Sequence, residues 1–247
     1  MDWISDPTAW SALAALLTLE IVLGVDNVVF ISILASKLPV EQQDKARKVG
    51  LLAAGGMRVL LLLGVGFVIT LKKELFAVGS IGFSGKELIL LAGGLFLIYK
   101  ATKEIHHKLE GDEGQTSAKV VPTFGAVIGQ VLLLDMVFSI DSVITAVGMT
   151  SYTWVMVIAI LTAVGIMLLA SKGIYNFVNA HPSVKMLALA FLLLIGTTLI
   201  AEGFGQKIPK GYIYASMTFS VFVEVLNLRV RSKKKPVEAV HLREPIV

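Results

Sequence analysis

The chain contains no cysteine in 247 residues. Disulfides, thiolate metal centres and cysteine nucleophiles are therefore excluded together. Charge is also scarce: Asp, Glu, Lys and Arg make up 16% of the chain, against about 25% in an ordinary soluble domain. Only four histidines are present, and none lies within an apolar run. What fills the sequence instead is Leu, Ile, Val, Ala and Gly, in runs long enough for roughly 20 residues to cross the hydrocarbon of a bilayer. The chain reads as an all-α polytopic membrane protein.

Seven spans are expected, at 9–36, 49–71, 86–101, 121–148, 152–171, 185–201 and 211–228. The connections are short, and the longest, 102–120, reads as a solvated loop. The first segment, MDWISDPTAW, lacks a basic leader and a small-residue cleavage site, so it reads as the start of a retained span. Residues 1–228 then form one transmembrane domain, and 229–247 a basic polar tail. Lys and Arg number 16 on the side that receives the tail, 5 on the other, and one, Arg58, inside a span. The positive-inside rule places the N-terminus outside and the tail in the cytoplasm of a plasma (inner) membrane. The excess of positive charge (+4) is thus read as an anchor for the bilayer and for anionic lipid at the tail, not as a nucleic-acid surface.

Against this background the first span carries Glu20, Asp26 and Asn27 in the stretch EIVLGVDNVVF. A carboxylate at a bilayer centre costs on the order of 3 kcal/mol. The fourth span repeats the pattern as DMVFSIDSVI, with Asp135, Asp141 and Ser142 each 115 residues after its counterpart. Lys86 opens span three and Lys185 opens span six. Each unit therefore has three spans, repeat A at 9–101 and repeat B at 121–201. An odd number makes the second copy enter the membrane from the opposite face, as in many secondary transporters. The helix at 211–228 stands outside the duplication.

Six residues of straight helix rotate a side chain by about 600°, leaving Glu20 and Asp26 roughly 120° apart. A shared site then requires a break in helices one and four, for which Gly24 and Ser139 are the candidates. Such a break would also free backbone carbonyls as ligands. Four carboxylates in low dielectric need a cation or protons. Carboxylate, amide and hydroxyl oxygens suit hard divalent ions such as Mn²⁺, Mg²⁺ or Ca²⁺, and ligand type alone does not separate these. Arg58 is the natural internal counter-ion, or a residue that snorkels to an interface. Glu224 in span seven is a further accessory candidate. Glu202 reads as interfacial, His106 and His107 as solvated, and Gly93, Gly94, Gly125 and Gly129 as helix-packing positions.

The motifs EIVLGVDNVVF and DMVFSIDSVITAVG, with HPSVKMLALAFLLLIG and PKGYIYASMTFSVFVEVLN, resemble the TerC family of integral membrane proteins, most closely its short members. The resemblance covers nearly the whole chain. It implies export of metal ions, chiefly manganese, a relation to LysE-like exporters, and a metal site at Glu20, Asp26, Asn27, Asp135, Asp141 and Ser142. Family members often carry another acidic residue three positions before the one matching Asp135. Here that position is Leu132, one potential ligand fewer.

Three function classes follow. The first is a secondary transporter working by alternating access, with Mn²⁺ or a similar ion as cargo, protons as the exchanged ion and no prosthetic group. The second is a membrane protein that binds partners without transport, its carboxylates fixing helix packing; export of another small solute belongs beside it. The third, an intramembrane aspartyl protease, lacks its Gly-x-Gly-Asp signature, so no enzyme is expected.

Overall fold

The computed structural model describes residues 6–79, 81–109, 122–206 and 208–233. Long apolar runs become helices because a backbone surrounded by hydrocarbon must satisfy its amides within the segment. Helix α1 (Pro7–Ala35) starts where Asp6 caps it, its carboxylate accepting from the Thr8 amide at 2.8 Å, with Pro7 in the first turn where a missing N–H does no harm. The Thr8 amide and hydroxyl hold the Asp6 carboxyl below the usual carboxylate range. The cap therefore contributes at neutral pH, and its contribution is lost only as acid takes the pH down through that lowered value.

Next come α2 (Val40–Leu63) and the short α3 (Val65–Thr70), followed by an antiparallel hairpin of β1 (Glu74–Val78) and β2 (Ile81–Ser84). After α4 (Gly85–Leu109) follow α5 (Phe124–Met149), α6 (Thr153–Ala180) and α7 (Pro182–Gly203). These elements belong to one compact unit, residues Met1–Ile208, while α8 (Lys210–Lys233) belongs to a second. Among the described residues, five helices are both long and apolar enough to cross a membrane: α1, α5, α6, α7 and α8. The chain is an all-α membrane protein.

Several expectations are corrected. Helices α1 and α5 run unbroken through residues 24–27 and 139–142. Gly24 serves another purpose: a Cβ there would lie 2.2 Å from Sδ of Met167, so the glycine lets α6 lie close against α1. Ser139 stays helical and spends its hydroxyl on the Asp135 carboxylate, at 3.0 Å. The interruption falls in the second span instead, at Gly64 between α2 and α3. Residues 102–109, expected in a loop, continue α4, and 229–233, expected in the tail, continue α8. The rest of that loop, 110–120, and of the tail, 234–247, lies outside the described residues, as does residue 121, the expected start of span four.

The hairpin was not foreseen, and it matters for the site because it fixes the start of α4. Its Gly79 turns at φ +63°, a conformation that glycine adopts without a Cβ penalty. Phe76 and Phe83 stack across the pair at 5.5 Å. Ser84 donates its amide to Glu87 at 2.8 Å, and the Lys86 amide reaches Leu71 O at 3.0 Å.

The most extensive helix interfaces pair α4 with α7, α1 with α6 and α2 with α5. At the first of these, Gly94 and Gly196 meet backbone to backbone, and a Cβ on Gly94 would sit 2.7 Å from Gly196 O. A carbonyl cannot rotate away as a side-chain tip can. Gly94→Ala is therefore expected to lower stability by about 1–3 kcal/mol, read as a fall in thermal midpoint. Gly24→Ala, which meets only the flexible end of Met167, is expected to lower it less.

Candidate functional site

Three helices bring one basic and two acidic side chains together in the buried interior. Glu20 projects from α1, Arg58 from α2 and Asp135 from α5, and all three are 5% exposed or less. Arg58 Nη1 donates to Glu20 Oε2. On its other side, Arg58 Nε donates to Asp135 Oδ1 at 3.0 Å and Nη2 donates to the same oxygen at 2.6 Å. The guanidinium fork thus joins two carboxylates on different helices, which its planar geometry suits better than an ammonium would.

Asp135 collects two further donors. Asn27 Nδ2 reaches Oδ1 at 3.0 Å and Ser139 Oγ reaches Oδ2 at 3.0 Å. The Asp135 carboxylate is thus surrounded by donors from Arg58, Asn27 and Ser139, as a buried polar group without water requires. Two carboxylates against one guanidinium leave the cluster one negative charge in excess. Ser142, also buried, donates to Ser139 O at 3.2 Å, so its hydroxyl serves the helix backbone and not a carboxylate.

Asp141 goes elsewhere. On the unbroken α5 it faces α4, and Lys86 Nζ donates to its Oδ1 at 3.0 Å, both side chains being about one-fifth exposed. The sequence placed Lys86 only at the start of a span. Its partnership follows from the hairpin, which sets α4 so that the lysine points along α5. Asp26 lies on α1, and its side chain falls outside the described residues. Glu224 lies on α8, in the second unit.

The expected gathering of carboxylates into one ligand set is therefore corrected for α5, whose two aspartates face different basic partners. The reason is the helical rotation itself: without a break, six residues of separation turn Asp135 and Asp141 to different neighbours. Among the described residues, no group of three or more His, Cys, Asp or Glu side chains is arranged to hold a metal ion. Of the expected site residues, Glu20, Asn27 and Asp135 meet around Arg58, with Ser139 beside them.

Known proteins share this sequence closely. No solved structure matches the chain. It is 51% identical to the UPF0053 inner membrane protein YgdQ of Escherichia coli K12, over 95% of this chain and 98% of that protein. It is 50% identical to the UPF0053 protein YegH and 51% identical to the UPF0053 inner membrane protein YoaE of the same strain. Each of those two matches covers 92% of this chain, but only 43% of YegH and 44% of YoaE. The family described as "Integral membrane protein TerC family" matches residues 5–238, nearly end to end, and the chain belongs to that family.

Proposed function

We propose that this protein is a secondary transporter of the inner membrane that exports hard divalent cations, Mn²⁺ foremost, by alternating access. The observation that carries the reading is Arg58, a buried positive charge held between Glu20 and Asp135 on two different helices. The two carboxylates are the equivalent positions of the duplicated motif. An enclosure built by equivalent acidic residues around a cation is suited to trade one cation for another. The guanidinium occupies the pair in the resting protein, the metal displaces it, and its return, together with protons, drives release.

The packing supports an inverted repeat of three plus three spans with α8 added. A two-fold axis exchanging the two three-span repeats would turn the α1–α6 interface into the α2–α5 interface and carry α4–α7 onto itself. Those are the three largest helix contacts. On this reading the N-terminus is outside and the tail cytoplasmic, and Glu20, Asp26, Asn27, Asp135, Asp141 and Ser142 mark the cargo path.

Cellular metal content tests the proposal. Manganese-loaded cells making the wild-type chain are expected to hold less manganese than cells making Asp26→Ala/Asp141→Ala at equal membrane abundance, by elemental analysis. Manganese equal in both cultures and in cells without the protein, with no other metal shifted, would remove the exporter reading and favour the partner-binding one.

The Lys86–Asp141 pair makes a second prediction. As a partly exposed ion pair it contributes up to about 1 kcal/mol, which corresponds to roughly fivefold in an equilibrium constant. Lys86→Gln is expected to lower the Mn²⁺ concentration for half-maximal flux in proteoliposomes severalfold, since the metal no longer competes with a tethered ammonium. An unchanged value places the pair outside the cargo path.

A further inference from the structure

At one end of the bundle, the C-terminal ends of α1 and α4 meet the N-terminal end of α7. Lys100, Glu104 and Lys108 recur every four residues along α4 and therefore share one face of it. Lys37, just beyond α1, pairs with Glu104. Lys185, in the first turn of α7, places Nζ 3.3 Å from Ser36 Oγ and 3.5 Å from Asn179 Oδ1. Lys108 lies against Lys185, and Lys37 is a charged neighbour of both Lys185 and Lys100. Four ammonium groups thus gather about Glu104, a charged neighbour of Lys100 and Lys185, and Lys37 already engages it.

Such an arrangement holds positive charge that its own side chains do not balance. Ammonium groups on flexible stems suit a tetrahedral anion with several oxygens. On the same face of α4, one turn before Lys100, lies the half-buried Phe96, with Lys100 Nζ 5.8 Å from its ring centroid, so apolar surface adjoins the charged end. Basic pockets between transmembrane helices commonly take phosphate-bearing lipid headgroups.

We propose that Lys37, Lys100, Lys108 and Lys185 form a binding site for a phosphate group at the α1–α4–α7 junction. It is distinct from the basic tail and independent of the transport reading. The phosphate belongs either to an anionic phospholipid headgroup or to a soluble phosphate.

Thermal unfolding of the purified full chain tests this, with dioleoyl-phosphatidylglycerol, dioleoyl-phosphatidylcholine or inorganic phosphate added to neutral micelles. Phosphatidylglycerol is expected to raise the midpoint of the wild type by several degrees over phosphatidylcholine. Lys108→Gln/Lys185→Gln is expected to lose more than half of that increment, and Lys108→Arg/Lys185→Arg to keep most of it. Replacing the tail lysines Lys233, Lys234 and Lys235 by glutamine is expected to leave it intact. A comparable rise with inorganic phosphate alone would support the site and assign it to a soluble phosphate.

The proposal is overturned if the glutamine pair, folded in phosphatidylcholine, keeps the full increment. It is equally overturned if the wild type shows no dependence on phosphate at all.

Discussion

Arg58→Met is expected to cost about 3–5 kcal/mol of stability when no divalent ion is present, because it leaves two buried carboxylates without their cation. Glu20 and Asp135 are held by the same guanidinium, and methionine fills part of its volume but donates nothing. Asn27 and Ser139 continue to serve Asp135, while Glu20 loses a charge-assisted partner. The pair must then take up a proton or an external cation. Mn²⁺ is therefore expected to raise the thermal midpoint of Arg58→Met by more than it raises that of the wild type, with a saturable dose response. Stabilisation at a free metal concentration 100-fold above the dissociation constant amounts to about 2.7 kcal/mol, most of the loss recovered. On the exporter reading flux is expected to fall even so, since a tethered competitor to return to the carboxylates on release is gone. Thermal unfolding with and without Mn²⁺, beside proteoliposome flux, checks both halves. If Mn²⁺ stabilises the variant no more than the wild type, the Glu20–Asp135 pair is not where the metal binds.

The helices were legible because a low-charge chain with long apolar runs has few other ways to bury its backbone polar groups in a membrane. The acidic pair was legible as a duplication, and Arg58 as either a counter-ion or a snorkelling residue, because a charge inside an apolar span has so few alternatives. What each carboxylate meets was not. Spacing along the chain fixes that Asp135 and Asp141 point in different directions. It does not state that α2 supplies Arg58 to one and α4 supplies Lys86 to the other. The expectation of a helix break arose from asking both to reach one point. The folded chain meets the need with partners from two other helices, and α5 stays unbroken.

Gly24 misled for a related reason. A glycine in a helix signals either a bend or a close neighbour, and only the position of Met167 separates the two. The hairpin at 74–84 gave little warning, since LFAV and IGF are too short and too uniformly apolar to show an alternating pattern. Its consequence for the site, the placing of Lys86, is a matter of tertiary geometry that sequence spacing does not encode.

Neutralising the whole cluster separates a transport role from a packing role more sharply than any single change. Glu20→Gln/Arg58→Met/Asp135→Asn removes every charge while keeping near-wild-type volumes, and it leaves Asn27 and Ser139 with a polar neighbour at position 135. Replacing a buried ion-pair network by neutral groups of similar size is often neutral or stabilising. The triple variant is therefore expected to unfold within about 2 kcal/mol of the wild type, although Asp135→Asn or Arg58→Met alone costs about 3–5 kcal/mol. This non-additivity is the mark of one coupled unit. Its transport behaviour is expected to differ completely. With neither carboxylates to hold a divalent ion nor a guanidinium to return to them, manganese-loaded cells making it should retain as much metal as cells without the protein. A stable but inactive triple variant shows that the charges are kept for cargo, since the fold does well without them. A triple variant that still lowers cellular manganese confines the cluster to packing and moves the cargo path to Asp26, Asp141 and their neighbours.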